Sequence, residues 1–119
     1  MRVELSYGKG TLPVDLADDW DVRVIGKKAM PVEPDPAASV RAALAAPVGA
    51  PPLVEAARGC ASACILICDI TRPVPNGVLL PIMVRQLLDA GMDARRITVL
   101  VATGLHRPNE GEELAEVVG

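Results

Sequence analysis

The chain is poor in aromatic residues. Its 119 residues include no phenylalanine, one tryptophan (Trp20) and one tyrosine (Tyr7), although half of all residues are apolar. A hydrophobic core must therefore be built from aliphatic side chains, which suits layers of Val/Ile-rich strands and Ala/Leu-rich helices. The length is that of one domain and is sufficient for a single core.

A basic surface and long apolar segments are also missing. The formal net charge is −3, and no stripe of Lys and Arg interleaved with aromatic residues is present, which argues against nucleic-acid binding. No apolar stretch reaches the about 20 residues that span a membrane. Residues 1–5 alternate between polar and apolar side chains, whereas a signal peptide has a continuous apolar segment. We therefore expect a cytoplasmic protein that binds neither membranes nor nucleic acid.

Three cysteines, Cys60, Cys64 and Cys68, are an odd number, which argues against a disulfide framework in a non-secreted chain. Their C-x3-C-x3-C spacing leaves two alternatives open. On a helix or a strand the thiols would share one face and could form a metal or cluster site. The spacing differs, however, from zinc and iron–sulfur patterns, and residues 63–68 are typical of a buried strand in which cysteine serves as a small hydrophobic residue. We favour the strand and expect no metal site in this chain.

The apolar pattern predicts an α/β fold. The first 25 residues alternate as in an antiparallel β segment with a turn at residues 7–10, and buried strands are predicted at residues 60–68 and 96–102. Residues that favour helix ends are Asp35 with Pro36, Gly59, Asn76, Gly91, and Asn109 with Glu112 as a capping box. After the β segment we therefore expect βαβ units with a parallel sheet and helices packed on it.

Two polar loops follow the two predicted buried strands. Residues 69–76 read D-I-T-R-P-V-P-N, and residues 102–108 read A-T-G-L-H-R-P. In an open α/β sheet, ligands bind at the carboxyl ends of the parallel strands. If the strands are neighbours, Asp69, Arg72 and His106 face one crevice, and the prolines stiffen the loops that carry them.

Each of these side chains suits a chemical task. The Arg72 guanidinium matches a carboxylate at two points, and neutral His106, the single histidine, can take a proton from a hydroxyl. Asp69 can orient a neighbouring donor or balance Arg72. Plainer alternatives stay open: a lone loop histidine is often a solvated or capping residue, Asp69 and Arg72 could be a surface ion pair, and Thr103-Gly104 could be only a turn.

The two loops resemble the D-x-T-R-P-x-P and A-T-G-x-H-R-P motifs of the nickel-pincer-nucleotide-dependent lactate racemase family. Supporting similarities are Tyr7-Gly8 near the start, Asp35-Pro36 before an alanine-rich helix, and the proline-rich residues 47–53. The resemblance covers essentially the whole chain in order. It implies that residues 1–119 are the N-terminal domain of a longer, two-domain enzyme.

The same resemblance implies racemisation or epimerisation of a small 2-hydroxy acid of the lactate type. In the family, the substrate hydroxyl loses a proton to a histidine while the carbinol hydride moves to a nickel-pincer nucleotide. Carried over to this chain, His106 is one of two acid/base histidines, Arg72 holds the substrate carboxylate, and Asp69 is the acidic residue beside it in the substrate site.

Cofactor contacts are expected at Thr71, Thr103 and Gly104, which lie in the same motifs. The anchoring lysine, the nickel-binding histidine and the second acid/base histidine of the family lie beyond the position that matches Gly119. We therefore expect the chain to be inactive by itself, without a tightly bound cofactor, and to need a missing C-terminal domain. The alternative is a non-catalytic domain derived from that family, which binds small anions or forms a homo-oligomer through an open sheet edge.

Overall fold

The N-terminal part of the chain is a small β unit. A computed structural model describes all 119 residues and divides them into two compact units, Met1–Pro31 and Val32–Gly119. In the first unit, strand β1 (Arg2–Tyr7) pairs antiparallel with β2 (Gly10–Asp15). Gly8 has φ 57° in the turn between them, a left-handed conformation that glycine adopts without strain. The predicted hairpin is therefore confirmed.

The antiparallel segment is shorter than the alternating pattern predicts. No strand follows Asp15 in this unit, and Trp20 and Ile25 are exposed. An alternating segment becomes a strand only where a neighbour pairs with its backbone N–H and C=O groups. The sheet of this unit contains β1 and β2 alone, so residues 16–31 stay irregular.

The second unit is a βαβ arrangement with additional helices. Strands β3 (Ala63–Cys68) and β4 (Ile97–Ala102) pair in parallel, and the helix α3 (Asn76–Asp89) connects them. The remaining helical elements are α1 (Pro36–Ala45), α2 (Leu53–Ala57), a short 3-10 helix (Ala94–Arg96) and α4 (Glu112–Val118). This architecture confirms the predicted α/β class, with an antiparallel β segment preceding a parallel sheet and its helices.

An aliphatic core lies between one face of the parallel sheet and the helices. Its buried members are Ala57, Ile65, Ile67, Leu80, Leu87, Met92 and Val117. They come from β3, from α2, α3 and α4, and from the loop before β4. No aromatic side chain takes part, as the composition predicts.

The prediction that both strands are fully buried is wrong. Leu66 is 67% exposed and Leu100 is 51% exposed, because side chains along a strand alternate between two faces and the helices cover only one of them. Cys64 and Cys68 lie on the open face of β3, and Cys60 is exposed in the preceding loop. The interpretation of the cysteines as buried small residues is therefore also wrong.

Helix ends follow the sequence signals in part. Asp35 caps α1 by accepting the N–H of Ala38 at 2.9 Å, and Gly91, at φ 92°, lies directly after the α3 cap, as predicted. Asn76 is not the cap of α3, because its buried amide instead donates to the Val117 carbonyl at 2.8 Å. None of the helices is both long and apolar enough to cross a membrane.

The bond from Asn76 should make a measurable contribution to stability. Replacing Asn76 with Ala leaves the buried carbonyl of Val117 without this donor, which we expect to lower the free energy of unfolding by about 1–3 kcal/mol. Urea denaturation of the chain, followed by circular dichroism, measures the change. Ser39→Ala, at an exposed position of α1, is the control, and an equal midpoint in both variants would contradict the assignment.

Candidate active site

The two polar loops leave the parallel sheet side by side. Cys68, the last residue of β3, lies opposite Ala102, the last residue of β4. The next residues, Asp69 and Thr103, therefore begin the two loops at the same level. This is the carboxyl edge of the sheet, where α/β proteins bind ligands.

Each loop begins with a tight turn whose fourth residue carries a predicted functional side chain. The N–H of Arg72 donates to the Asp69 carbonyl at 3.1 Å, and the N–H of His106 donates to the Thr103 carbonyl at 2.9 Å. Gly104, the second residue of its turn, has φ 58°, where a residue with a Cβ would be strained. Arg72 and His106 thus occupy equivalent positions in two neighbouring turns.

Asp69 is the centre of the hydrogen bonds in this site. Its side chain is only 5% exposed. One carboxylate oxygen accepts the Thr71 hydroxyl at 2.6 Å and the Thr71 N–H at 3.3 Å, and the other contacts Nδ1 of His106. The Thr71 hydroxyl first, and then His106, lower the pKa of Asp69 below its usual value of 3.8. The carboxylate is therefore ionised at neutral pH.

The contact with Asp69 determines which nitrogen of His106 is available. An ionised carboxylate only accepts hydrogen bonds, so Nδ1 carries the proton and Nε2 of the neutral ring is left as an acceptor. The ring is 55% exposed, and Nε2 forms no hydrogen bond with the chain. A buried carboxylate that holds the tautomer of an accessible imidazole is the arrangement of general-base histidines.

Arg72 is exposed and pairs with no carboxylate of the chain, so the surface ion pair between Asp69 and Arg72 does not form. Its side chain lines a cleft of about 360 Å³ together with His106. The other lining residues are Cys68, Asp69, Ala102, Thr103, Gly104 and Leu105. This volume is within the range of small-molecule sites.

The structure brings together most of the residues expected from the two motifs. Arg72 and His106 line one cleft with Thr103 and Gly104, and Asp69 also lines it, in contact with His106. Thr71 does not line this cleft, and its hydroxyl already donates to the carboxylate behind the histidine.

The sequence does not predict a second polar network, which adjoins the first loop at Ile70 and the second loop at Arg107. The predicted capping box of Asn109 and Glu112 does not form, because Gly111 is the cap of α4 and no side chain caps it. Asn109 is buried, and its amide instead accepts the N–H of Ile70 at 3.3 Å and donates to Glu113 at 3.2 Å. The spacing of Asn109 and Glu113, four residues apart, is the one sequence signal that could have suggested their contact.

Arg107 completes this network. Its two terminal nitrogens donate to the two carboxylate oxygens of Glu113 at 2.7 and 2.6 Å. These bonds, and then the bond from Asn109, lower the pKa of Glu113 to about 2. Arg107 is therefore occupied within the chain, unlike Arg72.

Comparison with known proteins identifies the family. A family model described as the lactate racemase N-terminal domain matches residues 7–119. The chain belongs to the lactate racemase N-terminal domain family. The resemblance to the lactate racemase family is thereby confirmed.

Two relatives of this chain are named lactate racemase. The protein from Lactiplantibacillus plantarum is 44% identical over 81 residues, which are 68% of this chain and 19% of the relative. The protein from Thermoanaerobacterium thermosaccharolyticum is 31% identical over 120 residues, which are 99% of this chain and 28% of the relative. The chain thus spans less than a third of the length of either relative.

The role of the Thr71 hydroxyl can be tested by titration. Thr71→Val removes the hydrogen bond that lowers the pKa of Asp69 most, so we expect the carboxyl pKa to rise toward 3.8, whereas Thr71→Ser keeps the donor and should leave it low. Because the pKa of Asp69 is depressed, its ionised form stabilises the fold above pH 3.8, and that contribution is lost as the pH falls through the folded pKa. Carbon-13 NMR of the carboxyl group measures the shift, and identical titrations of the two variants would contradict this cause.

Proposed function

We propose that the full-length protein is a racemase or epimerase of small 2-hydroxy acids of the lactate type. In this proposal the chain described here supplies one acid/base histidine and the arginine that binds the substrate carboxylate. The observation that carries the proposal is the pairing of His106 with buried Asp69, in one cleft with an unpaired Arg72. Membership of the lactate racemase N-terminal domain family supports it.

A 2-hydroxy acid presents a carboxylate and a neighbouring hydroxyl, which match the two free groups of the cleft. The Arg72 guanidinium binds the carboxylate at two points and fixes the orientation of the substrate. Nε2 of His106 then accepts the hydroxyl proton as general base. Asp69 keeps the proton on Nδ1 and stabilises the imidazolium that forms, so it is a positioning residue for His106 rather than a direct substrate contact.

A nickel-pincer nucleotide, which the family resemblance implies, supplies the acceptor for the carbinol hydride when it is bound. Residues of this chain could line one side of the binding site for this cofactor, but they do not provide a set of metal ligands. Thr103 and Gly104 line the cleft, and open space surrounds the position of a Cβ at Gly104. No three His, Cys, Asp or Glu side chains converge on a metal position. We therefore propose Thr103 and Gly104 as cofactor contacts and assign the nickel ligands to the C-terminal part of the longer protein.

A non-catalytic anion-binding domain is the second candidate function. Exposed, unpaired Arg72 favours it, because a free guanidinium beside a cleft binds carboxylate or phosphate without chemistry. Arg107 does not support it, since Glu113 already occupies both of its terminal nitrogens. The pair of Asp69 and His106 has no task in simple anion binding, so we favour the enzyme.

The acid/base role of His106 predicts a large loss of turnover. In the full-length protein loaded with its cofactor, His106→Ala should lower kcat for lactate racemisation by about 10²–10⁴-fold, because the hydroxyl proton loses its acceptor. Asp69→Asn should also lower kcat, because an amide can hold the ring in the wrong tautomer. Chiral chromatography of D- and L-lactate measures both rates. Wild-type turnover in a folded His106→Ala protein would exclude the proposed role.

The role of Arg72 predicts a different kinetic change. Arg72→Lys keeps the charge but loses the two-point geometry, so we expect KM for lactate to rise by about ten-fold or more, as for the loss of a charged hydrogen bond. Arg58→Lys, at an exposed arginine outside the cleft, is the matched control. If both variants keep the wild-type KM, Arg72 does not bind the substrate carboxylate.

A further inference from the structure

Asn109, the residue directly after the second loop, connects the first loop to the start of α4. Its side-chain oxygen accepts the N–H of Ile70 in the first loop, and its nitrogen donates to Glu113 at the start of α4. The amide can be oriented in only one way, because the opposite orientation would place NH₂ against an N–H and oxygen against a carboxylate. Asn109 is also buried, so water does not readily replace either partner.

Glu113 is held between Asn109 and Arg107. Three donors converge on its carboxylate, two from the guanidinium of Arg107 and one from the amide of Asn109. A two-point pair of this kind fixes direction as well as distance. The second loop is therefore bound to α4 through Arg107, and Asn109, which directly follows this loop, is bound to the first loop.

These contacts lie next in sequence to the reacting pair. Ile70, which Asn109 binds, directly follows Asp69, and Arg107 directly follows His106. The contact of Asp69 with His106 and the contact of Ile70 with Asn109 thus connect the first loop to the second loop and to the residue directly after it. Two such links restrict rotation of one loop against the other, which a single link would leave free.

We propose that Arg107, Asn109 and Glu113 form a loop clamp that positions His106 against Asp69 and so holds the imidazole in its reactive tautomer. None of the three lines the cleft, so they act through the histidine and not on the substrate. The kinetic consequence rests on the racemase function proposed above. The effect on the histidine ring does not depend on that function.

The test compares two clamp variants with a matched control in the full-length protein. Asn109→Asp keeps the acceptor for Ile70 but places a second carboxylate against Glu113, and Glu113→Gln removes the charge that holds Arg107. Glu112→Gln makes the same change of charge in the same first turn of α4, at an exposed position outside the clamp. Circular dichroism verifies that each variant is folded.

Two measurements distinguish an effect on the position of the His106 ring from an effect on the stability of the fold. Nitrogen-15 NMR of the His106 ring, identified by its absence in His106→Ala protein, reports the tautomer. We expect the clamp variants to shift from the Nδ1–H form toward a mixture, whereas Glu112→Gln stays as wild type. In the cofactor-loaded enzyme we expect kcat for lactate to fall by about ten-fold in the clamp variants, with KM nearly unchanged because Arg72 is untouched.

Each outcome decides one part of the proposal. A wild-type tautomer and wild-type kcat in both folded clamp variants would overturn the loop clamp. If the wild-type enzyme does not racemise lactate, the proposed function fails, and the ring resonances still decide whether the clamp positions His106. If Asn109→Asp and Glu113→Gln do not fold, Arg107→Lys, which keeps the charge and loses the two-point bond, is measured in their place.

Discussion

The parallel pairing of β3 with β4 is the constraint on which the rest of the site depends. Its register sets Cys68 opposite Ala102, so both polar loops begin at one level. A slip of one residue would displace one loop by about 3.3 Å along the strand and turn its side chains to the other face. Asp69 and His106 would then be beyond hydrogen-bonding distance. The core face of the sheet, with Ile65 and Ile67, enforces this register because a slip would expose it.

The buried carboxylate of Asp69 makes the two loops depend on each other. Burying an ionised group is costly unless hydrogen bonds replace its water, and here Thr71 and His106 provide them. The first loop contributes the N–H and hydroxyl of Thr71, and the second loop contributes the imidazole of His106. The second network, around Glu113, satisfies another charge in the same region. Because these side chains are already held by hydrogen bonds within the chain, a ligand needs to order few of them when it binds.

Several predictions that depend only on neighbours in sequence are confirmed. The cap at Asp35, the left-handed Gly91 and the hairpin turn near Gly8 depend on bonds or dihedral angles within a few residues. The predictions that Asn76 and Asn109 cap helices are wrong, because each side chain bonds a residue that is distant in sequence. The side chain of Asn76 bonds a residue 41 positions away, and that of Asn109 bonds one 39 positions away. A local sequence pattern contains no information about such partners. A buried side-chain amide bonds another polar group that folding has removed from water, and the fold decides which group that is.

The sequence by itself determined the N-terminal hairpin, the order of strands and helices over residues 32–119, the aliphatic character of the core and the polar residues that follow each parallel strand. These features depend on periodicity, composition and turn chemistry, which are properties of short segments. Only the tertiary structure decided that Asp69 pairs with His106 and not with Arg72, and that Cys64 and Cys68 lie on an open face. Both outcomes depend on which groups the packing of the helices brings together or covers, and that packing is set by contacts between residues distant in sequence.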